Sequence, residues 1–366
     1  MNILIDIGHP AHVHMFHFFA IEMQKRGHQV LFTCRDKEFE VALLQSFGLN
    51  FVNFGKKSTS TIGKIADLLK FDCLEWRVAH RFKPDIFLSH GSITASHVAW
   101  LMQRPSIAFE DTFNMEQIRL WKPFASIILT SAYEHPLKSP KVMRYAGYNE
   151  LLYLHPKRFV PQQTILQQLG VQPHEKYVIM RFVSWNATHD RGHNGISLEH
   201  KRLAVKQFSK YAKVFISSEK PLPDEFEPYR FSIAPERMHD AMAYASLIFG
   251  ESATMVSEGV MLGVPGIYVD NTGRLYTKEL HDKYGAVFSL YVYNISQLSN
   301  VPDKFKNDFI ESNKWLKFGL HSKTSSSTYL NETAQHGKED WDLFISQMYR
   351  ITGGLNSIDR IPRLNY

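Results

Sequence analysis

The first residues set a rhythm that the rest of the chain repeats. Asn2-Ile3-Leu4-Ile5-Asp6-Ile7 is a short apolar run closed by Gly8-His9-Pro10. From Val13 to Arg26 apolar residues recur at helical spacing, with Phe16, Phe19, Ala20 and Met23 on one face, and Gly27 ends the pattern. Gln29 to Thr33 is again an apolar run of strand length. The opening therefore reads strand, glycine-containing turn, helix, strand, which with parallel strands makes a right-handed crossover. The alternation continues with strands expected near 51–53, 85–88, 106–109 and 126–130, and helices at 38–47, 61–81, 93–102 and 115–120. Strands alternating with helices predict a doubly wound α/β sheet.

Near residue 150 the rhythm breaks. His155-Pro156-Lys157-Arg158-Phe159-Val160-Pro161 is polar and proline-flanked, as a linker is. A second series follows, with strands expected near 177–180, 213–217, 231–233, 246–249 and 266–269 and helices near 198–209, 236–245 and 254–262. The tail carries helix-like stretches at 303–317 and 338–351 around a polar loop, Ser322 to Thr328. The expected division is residues 1–150 and 151–366, two Rossmann-like α/β domains facing across a cleft, the last helices packing back on the first domain. A chain of 366 residues suits about two domains. Ligands of such sheets bind beyond the carboxyl ends of the strands, so two of them would build one shared site.

Composition narrows the class. Hydrophobic residues at 44% and charged residues at 21% exclude a disordered or fibrous chain. No uncharged apolar run approaches the roughly 20 residues that cross a bilayer, and Asp6, His9 and His12 interrupt what would be the apolar core of a signal peptide. A cytoplasmic protein is the expectation. The two cysteines, Cys34 and Cys73, provide neither a disulfide framework nor a thiolate zinc site. A net charge of +6 favours anionic partners such as nucleotides or acidic lipid surfaces and is too mild to indicate nucleic acid.

Several familiar signatures fail. No Gly-x-Gly-x-x-Gly follows a strand, and Gly55-Lys56-Lys57-Ser58 falls short of a phosphate loop because Asn50 stands where its first glycine belongs. Asp340-Trp341-Asp342 lies in a helix-like stretch and reads as an exposed helix face. His9, His12, His14 and His17 crowd the first turn and helix, and His189-Asp190 with His193 forms a second group. A zinc site needs three or four converging ligands; packing and hydrogen bonding explain these histidines better, and no metal is expected.

One histidine is placed more tellingly. His12 sits between the first strand and first helix, eighteen positions before Val30, in Gly8-His9-Pro10-Ala11-His12-Val13 leading to Lys25-Arg26-Gly27-His28-Gln29-Val30. This stretch resembles the UDP-sugar glycosyltransferases of GT-B architecture, including the N-acetylglucosaminyltransferases that make lipid II, with Ala11 replacing the glycine before the histidine. The opening Ile5 to Val13, and Tyr148-Asn149-Glu150 through His155-Pro156, resemble still more closely an uncharacterised prokaryotic family of predicted glycosyltransferases. A second block, Glu251-Ser252-Ala253-Thr254-Met255-Val256-Ser257-Glu258 with Leu262-Gly263-Val264-Pro265, resembles the donor-binding signature of the same enzymes.

The chemistry of that block is intelligible on its own. Small residues at 252–254 let backbone N–H groups at a helix start approach a diphosphate, and Glu258 one turn on suits the two ribose hydroxyls. The resemblance implies donor contacts from Arg181 and Ser184 at the end of a strand, from Met238 at the start of a helix, and from Ser252, Ala253, Thr254, Met255 and Glu258. It implies His12 as general base on an acceptor hydroxyl, with Glu110 or Asp111 orienting it or the acceptor. The expected activity is hexosyl or N-acetylhexosaminyl transfer from a UDP-sugar to an envelope or capsular polysaccharide or lipid-linked acceptor, without metal or cofactor.

Two rivals remain. UDP-N-acetylglucosamine 2-epimerases share the architecture, yet in His90-Gly91-Ser92-Ile93-Thr94 a serine stands where the epimerase pattern has an aspartate. A catalytically silent nucleotide-sugar-binding protein is the third class. Lys56, Lys57, Lys64 and Lys70, with Trp76-Arg77, Arg81-Phe82-Lys83 and Trp121-Lys122-Pro123-Phe124, interleave cations with aromatics. That suits a peripheral surface resting on anionic headgroups at the inner face of a membrane.

Overall fold

The computed structural model describes residues 1–58, 61–183, 196–210, 212–218, 221–270 and 273–291. The chain divides into two compact units with the break between Tyr153 and Leu154. The first contains β1 (Asn2–Asp6), α1 (Pro10–Lys25), β2 (Gln29–Cys34), α2 (Glu40–Ser46), β3 (Phe51–Asn53), α3 (Thr61–Phe82), β4 (Ile86–His90), α4 (Ile93–Leu101), β5 (Ser106–Phe109), α5 (Met115–Trp121), β6 (Ile127–Ser131) and β7 (Val142–Tyr145). Its seven strands lie in the order β3-β2-β1-β4-β5-β6-β7, and every pairing is parallel.

Central parallel strands are covered on both faces, which is why they read as unbroken apolar runs. Ile3, Leu4 and Ile5 of β1 are fully buried. Leu4 and Phe87 pack with Ala79 of α3 and with Ala95, Val98 and Ala99 of α4. Because β1 lies between β2 and β4, the crossovers diverge on either side of it. The crevice beyond the carboxyl ends of β1 and β4 is thus the topological switch point where ligands of such sheets bind.

A short helix, α6 (Leu151–Leu154), carries the chain out of the first unit, and α7 (Ile165–Gln168) follows. The second unit then runs β8 (Tyr177–Phe182), α8 (Leu198–Phe208), β9 (Lys213–Ser218), α9 (Met238–Tyr244), β10 (Leu247–Gly250), α10 (Ala253–Met261), β11 (Gly266–Asp270), α11 (Leu275–Asp282) and β12 (Val287–Tyr291). Its parallel sheet has the order β12-β11-β10-β8-β9, which places a second switch point between β8 and β10. Val178, Met180, Leu247 and Phe249 form its core with Phe208 and Ile267.

Where the structure departs from expectation, local chemistry explains it. Helix α1 begins at Pro10 rather than Val13 because proline supplies a helical φ at the first position and the His9 side chain caps the Ala11 N–H. His12 therefore belongs to the helix, not to the turn before it. The strand expected at 231–233 is reduced to one bridge, Ile216 with Arg230, after a 3-10 turn over Asp224–Tyr229 that contains Pro228. The segment 155–161 is irregular as a linker should be, but it is pinned: Tyr244 donates to the Pro161 carbonyl (3.0 Å), and the next amide, Gln162, donates to Asp240 (2.7 Å). Ser184, the His189–His193 group, Asp340-Trp341-Asp342 and the tail helices lie outside the described residues. Among the described residues no helix is long and apolar enough to cross a membrane.

Candidate functional site

The switch point of the first unit gathers chemistry from four strand ends. His12, in the first turn of α1, stacks on His90, the last residue of β4, with ring centroids 4.6 Å apart. His90 Nε2 lies 3.0 Å from Asp111 Oδ1, just beyond β5. Asn149 Nδ2 donates to Asp111 Oδ2 at 2.7 Å, and the Tyr145 hydroxyl donates to Asn149 Oδ1. A chain of contacts thus runs from the end of β7 through Asn149, Asp111 and His90 to His12.

The two stacked imidazoles hold opposite charge states. The Gly8 N–H donates to His12 Nδ1 at 3.3 Å. A backbone amide can only donate, so Nδ1 is the unprotonated nitrogen and Nε2 carries the hydrogen. Burial holds His12 well below the ordinary imidazole range, helped by His90, His9, Lys37 and Lys57. Burial also pulls on His90, but the charge and hydrogen bond of Asp111 outweigh it and push its pKa up to about 9. His12 is neutral and His90 is an imidazolium at pH 7.

From the sequence, Glu110 or Asp111 is expected to orient His12 or the acceptor. The structure brings both to this edge, with no hydrogen bond or ion pair between either of them and His12 among the described residues. Asp111 acts on His90, and Glu110 Oε1 accepts from Thr112 N (2.8 Å), Thr112 Oγ1 (2.8 Å) and Phe113 N (2.7 Å), which fixes the turn after β5. Glu110 is buried, and burial raises its carboxyl pKa. It lies beneath Gly91, whose φ of +56° disfavours any side chain and whose Cβ position would come within 3.3 Å of Glu110 Oε2 and 3.4 Å of the Trp121 indole nitrogen.

Behind the histidines lies a buried ion pair. Asp6, at the end of β1, accepts from Arg35, from Thr33 Oγ1 (3.0 Å) and from Ser92 Oγ. Ser92 also caps α4 through the Ala95 N–H (3.1 Å). Arg35 lies 5.3 Å from the Phe71 ring centroid and 5.8 Å from that of Phe54. Glu75 on α3 is fully buried, and burial together with Asp6 pushes its carboxyl pKa up. One guanidinium thus lies in reach of two carboxyls and hydrogen-bonds one of them, Asp6.

The His90–Asp111 pair has a measurable signature. Its folded pKa lies above that of a free imidazole, so its stabilisation is complete below about pH 6.5 and is lost as pH rises through about 9. The full shift corresponds to something on the order of 3 kcal/mol. Urea unfolding of wild type and Asp111→Asn at pH 6.5 and 9 is expected to show the loss in wild type and its absence in the variant. Equal losses in both would mean that Asp111 does not set the charge of His90.

The second unit presents a different edge. Gly250 ends β10 with φ of +149°, and a Cβ there would sit 2.1 Å from the Arg181 carbonyl oxygen. The chain then turns through Glu251, whose buried carboxylate accepts from Val183 N (3.0 Å) and Ile196 N (2.5 Å). Ser252 caps α10, accepting from Met255 N at 3.3 Å. Sequence reasoning offered the 252–255 amides to a diphosphate. The Met255 N–H is taken by this cap, whereas among the described residues those of Ala253 and Thr254 meet no acceptor.

Glu258, buried on the same helix, has Oε1 3.0 Å from His239 Nε2. Arg181, in β8, donates to Ser217 Oγ of β9 at 2.8 Å. Met238 opens α9 and is half-buried. The residues expected from the sequence therefore gather around β8, α9 and α10, with Ser184 outside the described residues. Sequence reasoning missed His90, Asn149, Glu251 and His239. The parallel register pairs His90 with Phe109, so an acid two positions past the partner strand's end is the signal that links His90 to Asp111. Among the described residues no three His, Cys, Asp or Glu side chains form a group able to hold a metal ion.

Solved structures of the same fold match nearly the whole chain. The UDP-GlcNAc 2-epimerase from Neisseria meningitidis, bound to UDP-GlcNAc, superposes with a TM-score of 0.63 at 15% identity over 92% of this chain and 100% of that one. Spinosyn forosaminyltransferase gives 0.61 at 12% identity over 96% and 99% of the two chains. Spinosyn rhamnosyltransferase complexed with thymidine diphosphate gives 0.57 at 12% over 92% and 96%. The fold is GT-B. An uncharacterised protein of Methanocaldococcus jannaschii is 25% identical over 289 residues, 73% of this chain and 81% of that protein. The family described as "Protein of unknown function (DUF354)" matches residues 1–284, and the chain belongs to that family.

Proposed function

We propose that this chain is a glycosyltransferase that takes a UDP-sugar in its second unit and delivers the sugar to an acceptor at the His12 edge of its first. The carrying observation is the start of α10. Gly250 brings the backbone against β8, the first-turn amides of Ala253 and Thr254 meet no acceptor among the described residues, and Glu258 follows on the same helix. Amides at a helix start suit a diphosphate leaving group, and a carboxylate suits ribose hydroxyls. The solved epimerase and the rhamnosyltransferase of this fold hold UDP-GlcNAc and thymidine diphosphate, which supports the same ligand class here.

A nucleotide-sugar screen by thermal shift, then calorimetry with UDP, tests the donor assignment. Glu258→Ala is expected to weaken UDP binding by about 1.5–3 kcal/mol, the worth of hydrogen bonds to a charged group. Unchanged affinity in the folded variant would remove the ribose role. The epimerase reading is disfavoured by Ser92. Where that reaction's pattern has an acid, this chain has a helix cap bonded to Asp6. An assay for 2-epimer formation with the best donor decides between the two.

The acceptor reading also concerns a surface. Trp121, expected among the membrane-facing aromatics, is 1% exposed and belongs to the core. Exposed apolar residues of this region include Leu69 and Trp76 on α3, Trp100 and Leu101 on α4, and Met115 and Leu120 on α5. His97 joins the three helices, 2.9 Å from Asp72 and 3.1 Å from the Leu120 carbonyl. Arg77, Arg81, Arg104, Arg119 and Lys122 are carried by the same helices and the turns after them. Cations around exposed aromatics suit an anionic bilayer surface at about 1 kcal/mol each. Co-sedimentation with anionic vesicles, absent with neutral ones and reduced by Trp100→Ser with Arg119→Glu, is the expected result. No pelleting at low salt would leave this face without a membrane role.

A further inference from the structure

Transfer to a neutral hydroxyl needs a group that removes its proton, and the first unit's edge has its bases engaged elsewhere. His12 Nδ1 already accepts from the Gly8 N–H, so its Nε2 presents a hydrogen rather than a lone pair. His90 is engaged by Asp111, and the two oxygens of Asp111 are taken by His90 and Asn149. Glu110 is buried in the turn after β5, and Asp6 is enclosed by Arg35, Thr33 and Ser92.

Donors and cations are plentiful on the same edge. His12 is in the electrostatic reach of His9, His90, Lys37 and Lys57, all of which oppose its protonation. Lys37 follows β2 and pairs with Glu38 at 2.8 Å. Lys57 follows β3 in the Gly55-Lys56-Lys57-Ser58 stretch and makes no hydrogen bond or ion pair among the described residues. Its ammonium pKa is lowered, first by the protein around it and then by Arg35.

We infer that the His12 edge is an oxyanion site, and that the acceptor presents a phosphate monoester whose ionised oxygen is itself the nucleophile. This rests on the transfer reading and names its substrate class. The His12 Nε2–H and the Lys57 ammonium hold the phosphate, while burial, helped by His90, keeps His12 neutral. A phosphate oxygen forms the bond to the anomeric carbon. The bond from that carbon to the donor diphosphate breaks, and its electron pair leaves with the nucleoside diphosphate. No proton changes hands, so no base is needed. The product is a sugar phosphodiester.

Calorimetry on the full chain compares benzyl phosphate with benzyl alcohol, and farnesyl phosphate in detergent micelles with farnesol in the same micelles. The first pair reads a soluble phosphate, the second a lipid-borne one. In at least one pair the phosphate is expected to bind at least ten-fold more tightly than the alcohol, a gap typical of charge-assisted hydrogen bonds. Lys57→Gln and His12→Ala are each expected to weaken it about ten-fold, whereas His12→Gln, which keeps an N–H donor, stays within about three-fold of wild type. With donor present, the phosphate is converted and the alcohol is not. The inference is overturned if neither phosphate outbinds its alcohol, or if alcohol is glycosylated and His12→Gln is as inactive as His12→Ala. UDP binding is read separately in the second unit. Loss of that signal would strike the donor reading, and loss of phosphate binding alone would strike this one.

Discussion

Gly250→Ala is expected to lower the unfolding free energy by about 3–5 kcal/mol, combining backbone strain with overpacking. The residue occupies a φ of +149°, and its absent side chain would overlap the Arg181 carbonyl oxygen at 2.1 Å and the Arg181 amide nitrogen at 2.9 Å. Relief would require β10 to part from β8, breaking the register that pairs Gly250 with Arg181. The same movement would shift Glu251, whose amide donates to that carbonyl at 3.1 Å. Urea unfolding measures the loss, and nucleotide binding should fall with it. A loss under about 1 kcal/mol would mean that the two strands separate easily and that the tight crossing does not hold α10 in place.

Arg35→Met should be comparably severe, at about 3–5 kcal/mol, because it strands a buried carboxylate without its cation. Asp6 would keep Thr33 and Ser92 as donors but lose the ion pair. Adding Asp6→Asn is expected to recover part of the loss, since a neutral amide needs no counter-ion there. Strictly additive losses in the double variant would show that the pair is not coupled and that Arg35 acts only through its contacts with Phe54 and Phe71.

The sequence made most of the scaffold legible because buried parallel strands announce themselves as apolar runs. Those of β1, β4 and β5 needed no tertiary information. The edge strand β7, Val-Met-Arg-Tyr, shows no such run and was invisible, as were α11 and β12. The site divides the same way. His12 was legible because it follows the first strand, and Glu258 because its motif is contiguous. His90 was not, because a histidine closing a strand looks like any polar strand end. Only the folded register brings Asp111, 21 residues on, beside it. The tautomer of His12 depends on an amide four residues back in a turn whose geometry the sequence does not reveal.

The contact between Asn149 and Asp111 bears on how this protein can be recombined with its relatives. An exchange of the second unit for that of another chain is one way to build such hybrids, and the compact units divide at Tyr153. A splice made earlier, in the stretch after β6 that contains Pro136 and Pro140, would also import a foreign β7 and a foreign residue 149. The hybrid would then lose the amide that fixes Asp111 and the tyrosine behind it. Its first unit would be intact in sequence up to the seam yet mis-set in charge at His90. Junctions for such hybrids therefore belong after Glu150, so that the exit segment travels with the unit whose chemistry it holds.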